Sequence, residues 1–561
     1  MNKKLSLFFL FSIVMTASVL RLWQLGKIPI SPDWDEVALG YNAYSIMQTG
    51  RDEYGKFLPI ILRSFDDYKP ALYAYLTMPA ISIVGLNVVA VRLPSAIFGI
   101  LTVLATFFLI RELFKKDNLA LLTAFLLAIS PWHIQFSRVA FEANVGVALN
   151  VFGILFFLKS FHKQWFLFLS AIMFGLGLYV YQSEKVFIPL LLTILMIIFR
   201  KQFCAIKKKY ILISFLILII LFFPLIYISL ANKDVLARAR DVSIFSNRSI
   251  IELNVKRIAR DRENNDLLGL VFDNRRVEFV KNTARGYLSH FDLNWLFVKG
   301  DIARHHAPGM GLLYLVELPF LLIGIYSLIF GGFDKKVKTF LTLWLLIAPI
   351  PPSVTNDIPN AVRALNFLPT FQIFTAIGIL AAIKKVSSIK YPAFAKASAG
   401  KQASKFKHVF FLGLILVFLF NFSYYLNQYF VQQNYFHARY WQYGYENIVN
   451  YASFIQKNYK KIVVSNTATM DQSYIFFLFY LKYDPARYLK EGGTASGKIE
   501  GRNQFANFEF RKFNYNEEKE KNILLIGSTF DFQEVYKTIH EANYPDKSIA
   551  IKIVEKNNEE N

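Results

Sequence analysis

Cysteine occurs once in this chain, as Cys204. That scarcity excludes an intramolecular disulfide and any cysteine-based zinc site, so an outer domain must be held by its own core. Charge is scarce too. Only 18% of residues are Asp, Glu, Lys or Arg, against roughly a quarter in an ordinary soluble chain. Acidic residues are the rarer sign, 40 against 63 basic, which leaves a net charge of +23. The sequence also lacks a Walker A loop, a G-x-S-x-G elbow, an H-E-x-x-H pair and an internal repeat. ATP-driven transport, serine hydrolysis and zincin proteolysis therefore have no support.

Apolar length is what the chain has in abundance: 54% of it is hydrophobic and 17% aromatic. A bilayer core of about 30 Å needs roughly 20 apolar residues at 1.5 Å each. Segments near 5–25, 88–110, 118–136, 140–158, 164–182, 186–199, 210–231, 311–331, 337–355, 364–383 and 408–428 meet or nearly meet that length. The expected fold class is a polytopic α-helical membrane protein with about eleven transmembrane helices. The stretch after Met1-Asn2-Lys3-Lys4 is too long for a signal-peptide h-region and lacks a clear small-x-small site, so it reads as an uncleaved first span.

The basic surplus sits in short segments between the apolar runs, which points to topology and to no nucleic-acid partner. With the N-terminus inside, the cytoplasmic segments are 1–4, 111–118, 159–164, 200–209, 332–336 and 384–407, each with at least two Lys or Arg. The short opposite loops near Arg138, Lys185 and Arg363 carry about one each, as the positive-inside rule requires. The expected location is the cytoplasmic membrane, multi-pass, with the C-terminal domain outside.

This orientation puts residues 26–87, 232–310 and 429–561 on the outer face. Residues 1–428 form the expected transmembrane domain, 384–407 an internal low-complexity basic linker, and 429–561 an extracytoplasmic soluble domain. Within the last, strand-like runs at 461–465, 522–527 and 549–554 alternate with helical patterns at 440–459 and 532–542, which predicts a small α/β unit. The Ile526-Gly527-Ser528 turn is too little to argue nucleotide binding.

The first outer loop carries most of the candidate chemistry: Pro32-Asp33-Trp34-Asp35-Glu36, then Gly50-Arg51-Asp52-Glu53-Tyr54-Gly55, then Asp66-Asp67-Tyr68-Lys69-Pro70-Ala71-Leu72-Tyr73. Carboxylates just outside a first span suit a site at the membrane surface, as a base toward a hydroxyl or as holders of a cation. Read blandly, they are solvated loop charges.

Asp35-Glu36 after the first span, the Tyr68 to Tyr73 segment and Arg92-Leu93-Pro94 at the second span resemble the PMT/ArnT group. These are polyprenyl-phosphate-sugar-dependent glycosyltransferases of the GT-C type, glycosyltransferase family 39. The likeness covers residues 1–200 best and stops before the C-terminal domain. It implies transfer of a sugar from a polyprenyl-phosphate donor to an extracytoplasmic acceptor, with inversion, in which Asp35 is the general base and Glu36 orients it or the acceptor. It also implies that Lys69 and Arg138 bind the donor phosphate, with Arg363 as a further candidate. Arg138, at an outer span end, calls for an anionic partner such as Asp35, Glu142 or the phosphate. One departure stands out. The ArnT branch has a Glu before the lysine, implicated in metal binding, where this chain has Tyr68. No metal-ligating residue is assigned, and a divalent ion is left as a candidate cofactor without a site.

Tyr73, Asp67, Glu142, Arg304 and His305 are the further candidates for substrate contact. Adjacent His305 and His306 do not share a helix face, which argues against a two-histidine metal site. Other tyrosines near the interfaces, such as Tyr41 and Tyr179, read as belt residues. Glu317 is an intramembrane acid that lines a cavity if it is functional. The alternatives are a transporter or lipid flippase, which needs midplane charges and inverted repeats that are not evident here, and a glycan-binding relative without turnover.

Overall fold

A computed structural model describes residues 2–65, 67–231, 243–246, 248–388, 398–498, 501–514, 522–532 and 537–555, with side chains from 398 to 408 left out. The chain is mostly helical, with several long apolar helices and a C-terminal sheet. It divides into two compact units. The first comprises residues 1–20, 98–136 and 143–428. The second comprises residues 21–97, 137–142 and 429–561.

Each of the eleven apolar segments carries helix. Among the described residues, six helices are long and apolar enough to cross a membrane: Lys3–Leu22, Val88–Phe114, Glu142–Lys159, Lys208–Ala231, Leu365–Ser387 and Val409–Phe436. The 118–136 segment is a broken pair, Asp117–Ile129 and Pro131–Ser137, bent by 60°. Pro131 has no N–H to continue the ladder. The remaining four helices fall short of the roughly 20 residues a span needs: Phe166–Gly177, Glu184–Ile198, Glu317–Phe330 and Lys335–Ile347. An apolar run is not the same as a helix. Lys335–Ile347 stops ahead of Pro349, Pro351 and Pro352, and residues 311–316 precede the Glu317 helix as turn and coil.

In the first unit, Gly324 and Gly378 let two helices meet backbone to backbone. A Cβ at either would overlap the carbonyl of Phe374 or Phe320, the close approach that small residues permit between apolar helices. Trp132 and Trp344 are buried, and their indole N–H groups donate to Ala361 O (3.2 Å) and Asn366 O (2.9 Å). Of the expected 384–407 linker, residues 389–397 lie outside the described residues, and the Ser398–Asn427 helix begins inside it. Of the expected 232–310 loop, residues 232–242 and 247 lie outside.

In the second unit, the first outer segment packs with the C-terminal residues. A short hairpin, β1 (Ile61–Ser64) with β2 (Asp67–Pro70), pairs Leu62 with Lys69. Among the described residues the C-terminal sheet has six strands: β3 (Lys461–Val464), β4 (Asn503–Phe505), β5 (Phe508–Phe510), β6 (Ile523–Gly527), β7 (Lys537–Asn543) and β8 (Ile549–Glu555). Their order is β4-β5-β3-β6-β8-β7, with β3 parallel to both β5 and β6 and the outer pairs antiparallel. The three strands read from sequence are present. The helix expected at 532–542 is corrected. Residues 533–536 lie outside the described residues, and 537–543 form β7, because pairing with β8 satisfies a backbone whose local pattern favours a helix.

Candidate active site

The second unit builds a site around the start of the Trp34–Thr49 helix. Asp33 caps it: its carboxylate accepts from Glu36 N at 2.9 Å, while Glu36 Oε2 accepts from Asp33 N at 3.3 Å. This reciprocal pair satisfies donors that a helix start leaves open. It also places Asp35 in the first turn, where the helix dipole favours an anion.

The neighbouring carboxylates diverge sharply. Glu36 is buried. Its Oε1 accepts from Arg92 Nε (2.8 Å) and Ala140 N (3.0 Å), and its Oε2 from an Arg92 terminal nitrogen (2.9 Å). Arg92, fully buried, spends its remaining donors on the carbonyls of Leu25 (3.0 Å), Pro29 (2.9 Å) and Ser31 (2.9 Å). Such a fork needs a guanidinium. Glu36 and Arg92 thus hold the 25–36 segment in shape. Asp35 is 33% exposed, and its Oδ1 accepts from Lys69 Nζ, itself 12% exposed. Lys69 reaches it from β2 and lies 6.0 Å from the Phe65 ring centroid.

The structure brings Asp35, Glu36 and Lys69 together with Arg92, and it places two other candidates in buried surroundings. Arg138 is fully buried, with its guanidinium donating to Ile28 O (3.0 Å) and Gln24 O (3.4 Å) beneath Phe430 and Tyr429. These carbonyls are among its partners and tie it to the 24–28 segment. Tyr73 is also fully buried, its hydroxyl donating to Val91 O at 2.9 Å, so it packs the core and offers no sugar-stacking face. Asp67 opens β2 and accepts from Tyr68 N. Glu142 is buried at the start of Glu142–Lys159.

Arg304, His305 and Arg363 belong to the first unit. Asp301 Oδ2 accepts from Ala361 N (2.6 Å) and pairs with His305 Nδ1 (2.9 Å). Burial pushes His305 below its usual range, which Asp301 only partly offsets. Burial alone would raise Asp301, but its bonds from His305 and Ala361 hold it low. Arg363 donates to Thr355 Oγ1 (2.7 Å) and Asn356 O. These contacts knit the 301–305 and 355–363 loops together. Glu317 is buried at the start of its helix.

A divalent ion does not fit at Asp35. Its Oδ1 is taken by an ammonium, and among the described residues no three His, Cys, Asp or Glu side chains converge.

Arg92 and Glu53 are the residues whose weight sequence reasoning missed. An arginine inside an apolar span is itself a signal. Glu53 gave none. It is buried and accepts from Asn42 Nδ2 (2.9 Å), Thr494 Oγ1 (2.8 Å) and Tyr474 OH (3.1 Å). Burial pushes its carboxyl up to about 7.

Residues 68–228 match the family model of dolichyl-phosphate-mannose-protein mannosyltransferase. Among solved structures, ArnT from Cupriavidus metallidurans in the apo state aligns over 97% of this chain and 97% of its own, at 13% identity and a TM-score of 0.52. The same protein bound to undecaprenyl phosphate aligns over 99% and 98%, at 11% identity and 0.52. The Archaeoglobus fulgidus oligosaccharyltransferase tethered to an acceptor peptide aligns over 85% of this chain at 14% identity and 0.50. This chain spans 63–64% of the length of that archaeal enzyme. No curated protein matches the chain. At these identities the structural likeness establishes the fold.

Proposed function

We propose that this chain, which resembles the GT-C glycosyltransferases in sequence and in fold, moves a sugar from a polyprenyl-phosphate donor to an acceptor outside the cytoplasmic membrane. The observation that carries the reading is the pairing of Asp35 with Lys69. An acid and an ammonium meet at the first turn of a capped helix, with the acid partly open to solvent. The binding of undecaprenyl phosphate by ArnT supports a lipid-phosphate donor. The alternation of basic segments supports an outward-facing site.

The acceptor hydroxyl approaches the exposed side of Asp35. As its oxygen bonds to the anomeric carbon, the proton passes to the Asp35 carboxylate and the bond from that carbon to the phosphate oxygen breaks. The polyprenyl phosphate leaves with the electron pair, and the anomeric centre inverts. Lys69 holds the Asp35 side chain in place through their ion pair and offers its ammonium to the charge that grows on the leaving phosphate. Glu36 and Arg92 act at one remove, fixing the backbone on which Asp35 sits. No step is routed through a metal, because the donor set at Asp35 does not fit one.

Purified protein in liposomes, given a panel of radiolabelled polyprenyl-phosphate sugars and membrane extract as acceptor, should release polyprenyl phosphate and label an acceptor for one donor. Absence of both from every donor would overturn the reading.

A further inference from the structure

A second feature of the same unit is a polar cleft of about 400 Å³, lined by Ile30, Ser31, Tyr443, Gly444, Glu446, Asn447, Asn450, Glu541, Ala542 and Asn543. That volume falls within the roughly 300–1,000 Å³ of small-molecule sites. Its walls are built by unusual backbone. Gln442 and Gly444 take φ of 43° and 112°, the left-handed side that favours glycine at 444. A Cβ at Gly444 would crowd Ala542 and Ala550 at 3.4 and 3.3 Å. On the opposite wall, β7 slips register between Thr538 and His540 and again between Ala542 and Asn543. Bulges of this kind re-aim side chains beside functional sites.

The cleft adjoins the segment that leads to Asp35. Gln442, next to Tyr443, accepts from Trp34 N at 3.2 Å through its side chain. Tyr480 pairs with Ser31 and lies within electrostatic reach of Glu446 as well as of Glu36 and Arg92.

We propose that this cleft binds an uncharged saccharide as the acceptor and delivers its hydroxyl toward Asp35. The assignment rests on the transferase reading given above and adds the acceptor class. Three asparagines offer amide donors and acceptors, and two glutamates accept from hydroxyls, a set that matches the paired donor and acceptor character of sugar hydroxyls. Tyr443 adds a ring with an apolar face and a polar tip. Glu446 and Glu541 are the charged lining residues; Lys552 stands opposite Glu541 across the β7–β8 pairing, which leaves Glu446 as the side chain that disfavours phosphorylated or uronate-bearing glycans.

The test uses the full chain in detergent, without donor. Saturation-transfer NMR is run against neutral oligosaccharides, matched uronate-bearing ones and short neutral peptides. Neutral glycans should bind saturably, and acidic analogues at least ~10-fold more weakly. The Asn450→Ala/Asn543→Ala double variant should lose ~10-fold or more of that affinity, as loss of a few hydrogen bonds implies, with an unchanged melting temperature. Glu446→Gln, which keeps the shape, should relax the discrimination against acidic glycans.

The proposal is overturned if no neutral glycan binds, if the double variant binds as the parent does, or if peptides occupy the cleft in place of sugars. The two readings fail separately. Donor turnover without glycan binding sinks the cleft alone. Glycan binding at the cleft without turnover of any donor sinks the transferase reading, and the acceptor role with it, and leaves a glycan-binding cleft.

Discussion

Adjacent carboxylates at positions 35 and 36 have different work because a helix start points them in different directions. Glu36 turns inward to Arg92 and the cap, where every oxygen is committed. Asp35 turns toward Lys69 and solvent. Lys69→Ala removes a charge-assisted contact worth about 1.5–3 kcal/mol. It should weaken donor-lipid binding by ~10-fold or more, measured by competition with polyprenyl phosphate, while Lys69→Arg keeps part of it. Glu53 makes a second residue-level expectation. Its folded value of about 7 lies above the ordinary 4.5 because it is buried. Its contribution to stability is therefore complete below about pH 4.5 and is lost as pH rises through about 7. The apparent melting temperature should fall across that window, and Glu53→Gln should flatten the fall. Asp35 and Lys69 stood out in the sequence as parts of one motif set, and the structure pairs them. At Arg138 the sequence shows a charge without showing that backbone carbonyls are among its partners.

At the scale of elements, the Asp33 cap ties local structure to chemistry. Asp33→Ala removes one side of the capping box, at a cost of about 1 kcal/mol. It should lower turnover more than it lowers donor affinity, because the first turn that aims Asp35 frays. A kcat-against-KM comparison checks this, and an effect confined to KM would contradict it. Strands β3, β6 and β8 could be read from sequence because their runs are apolar and buried. β7 could not, since Lys537-Thr538-Ile539-His540-Glu541-Ala542-Asn543 has no strand alternation and gains its state from the β8 edge. The hairpin that presents Lys69 was equally silent. Its strands are four residues each, and their pairing is set by tertiary context.

For the whole molecule, periodicity and charge carried the membrane reading, because the bilayer imposes length and the translocation machinery imposes sign. What sequence could not supply was the breaking of apolar runs into shorter helices by prolines, or the packing of the first outer segment with the C-terminal residues. The orientation yields a direct expectation. Cys204 is exposed and is the chain's single thiol. A membrane-impermeant maleimide should not label it in intact cells, but should once the membrane is opened. A cysteine placed at Ser548 in a Cys204→Ser background should label in both.

The central claim is that Asp35 removes the acceptor proton, and the most direct measurement is single-turnover sugar transfer by Asp35→Asn in liposomes, read beside donor-lipid binding. The account expects transfer to fall by ~10²–10⁴-fold, the worth of a general base, with donor binding held within about twofold. Transfer by Asp35→Asn at the parent rate would contradict it.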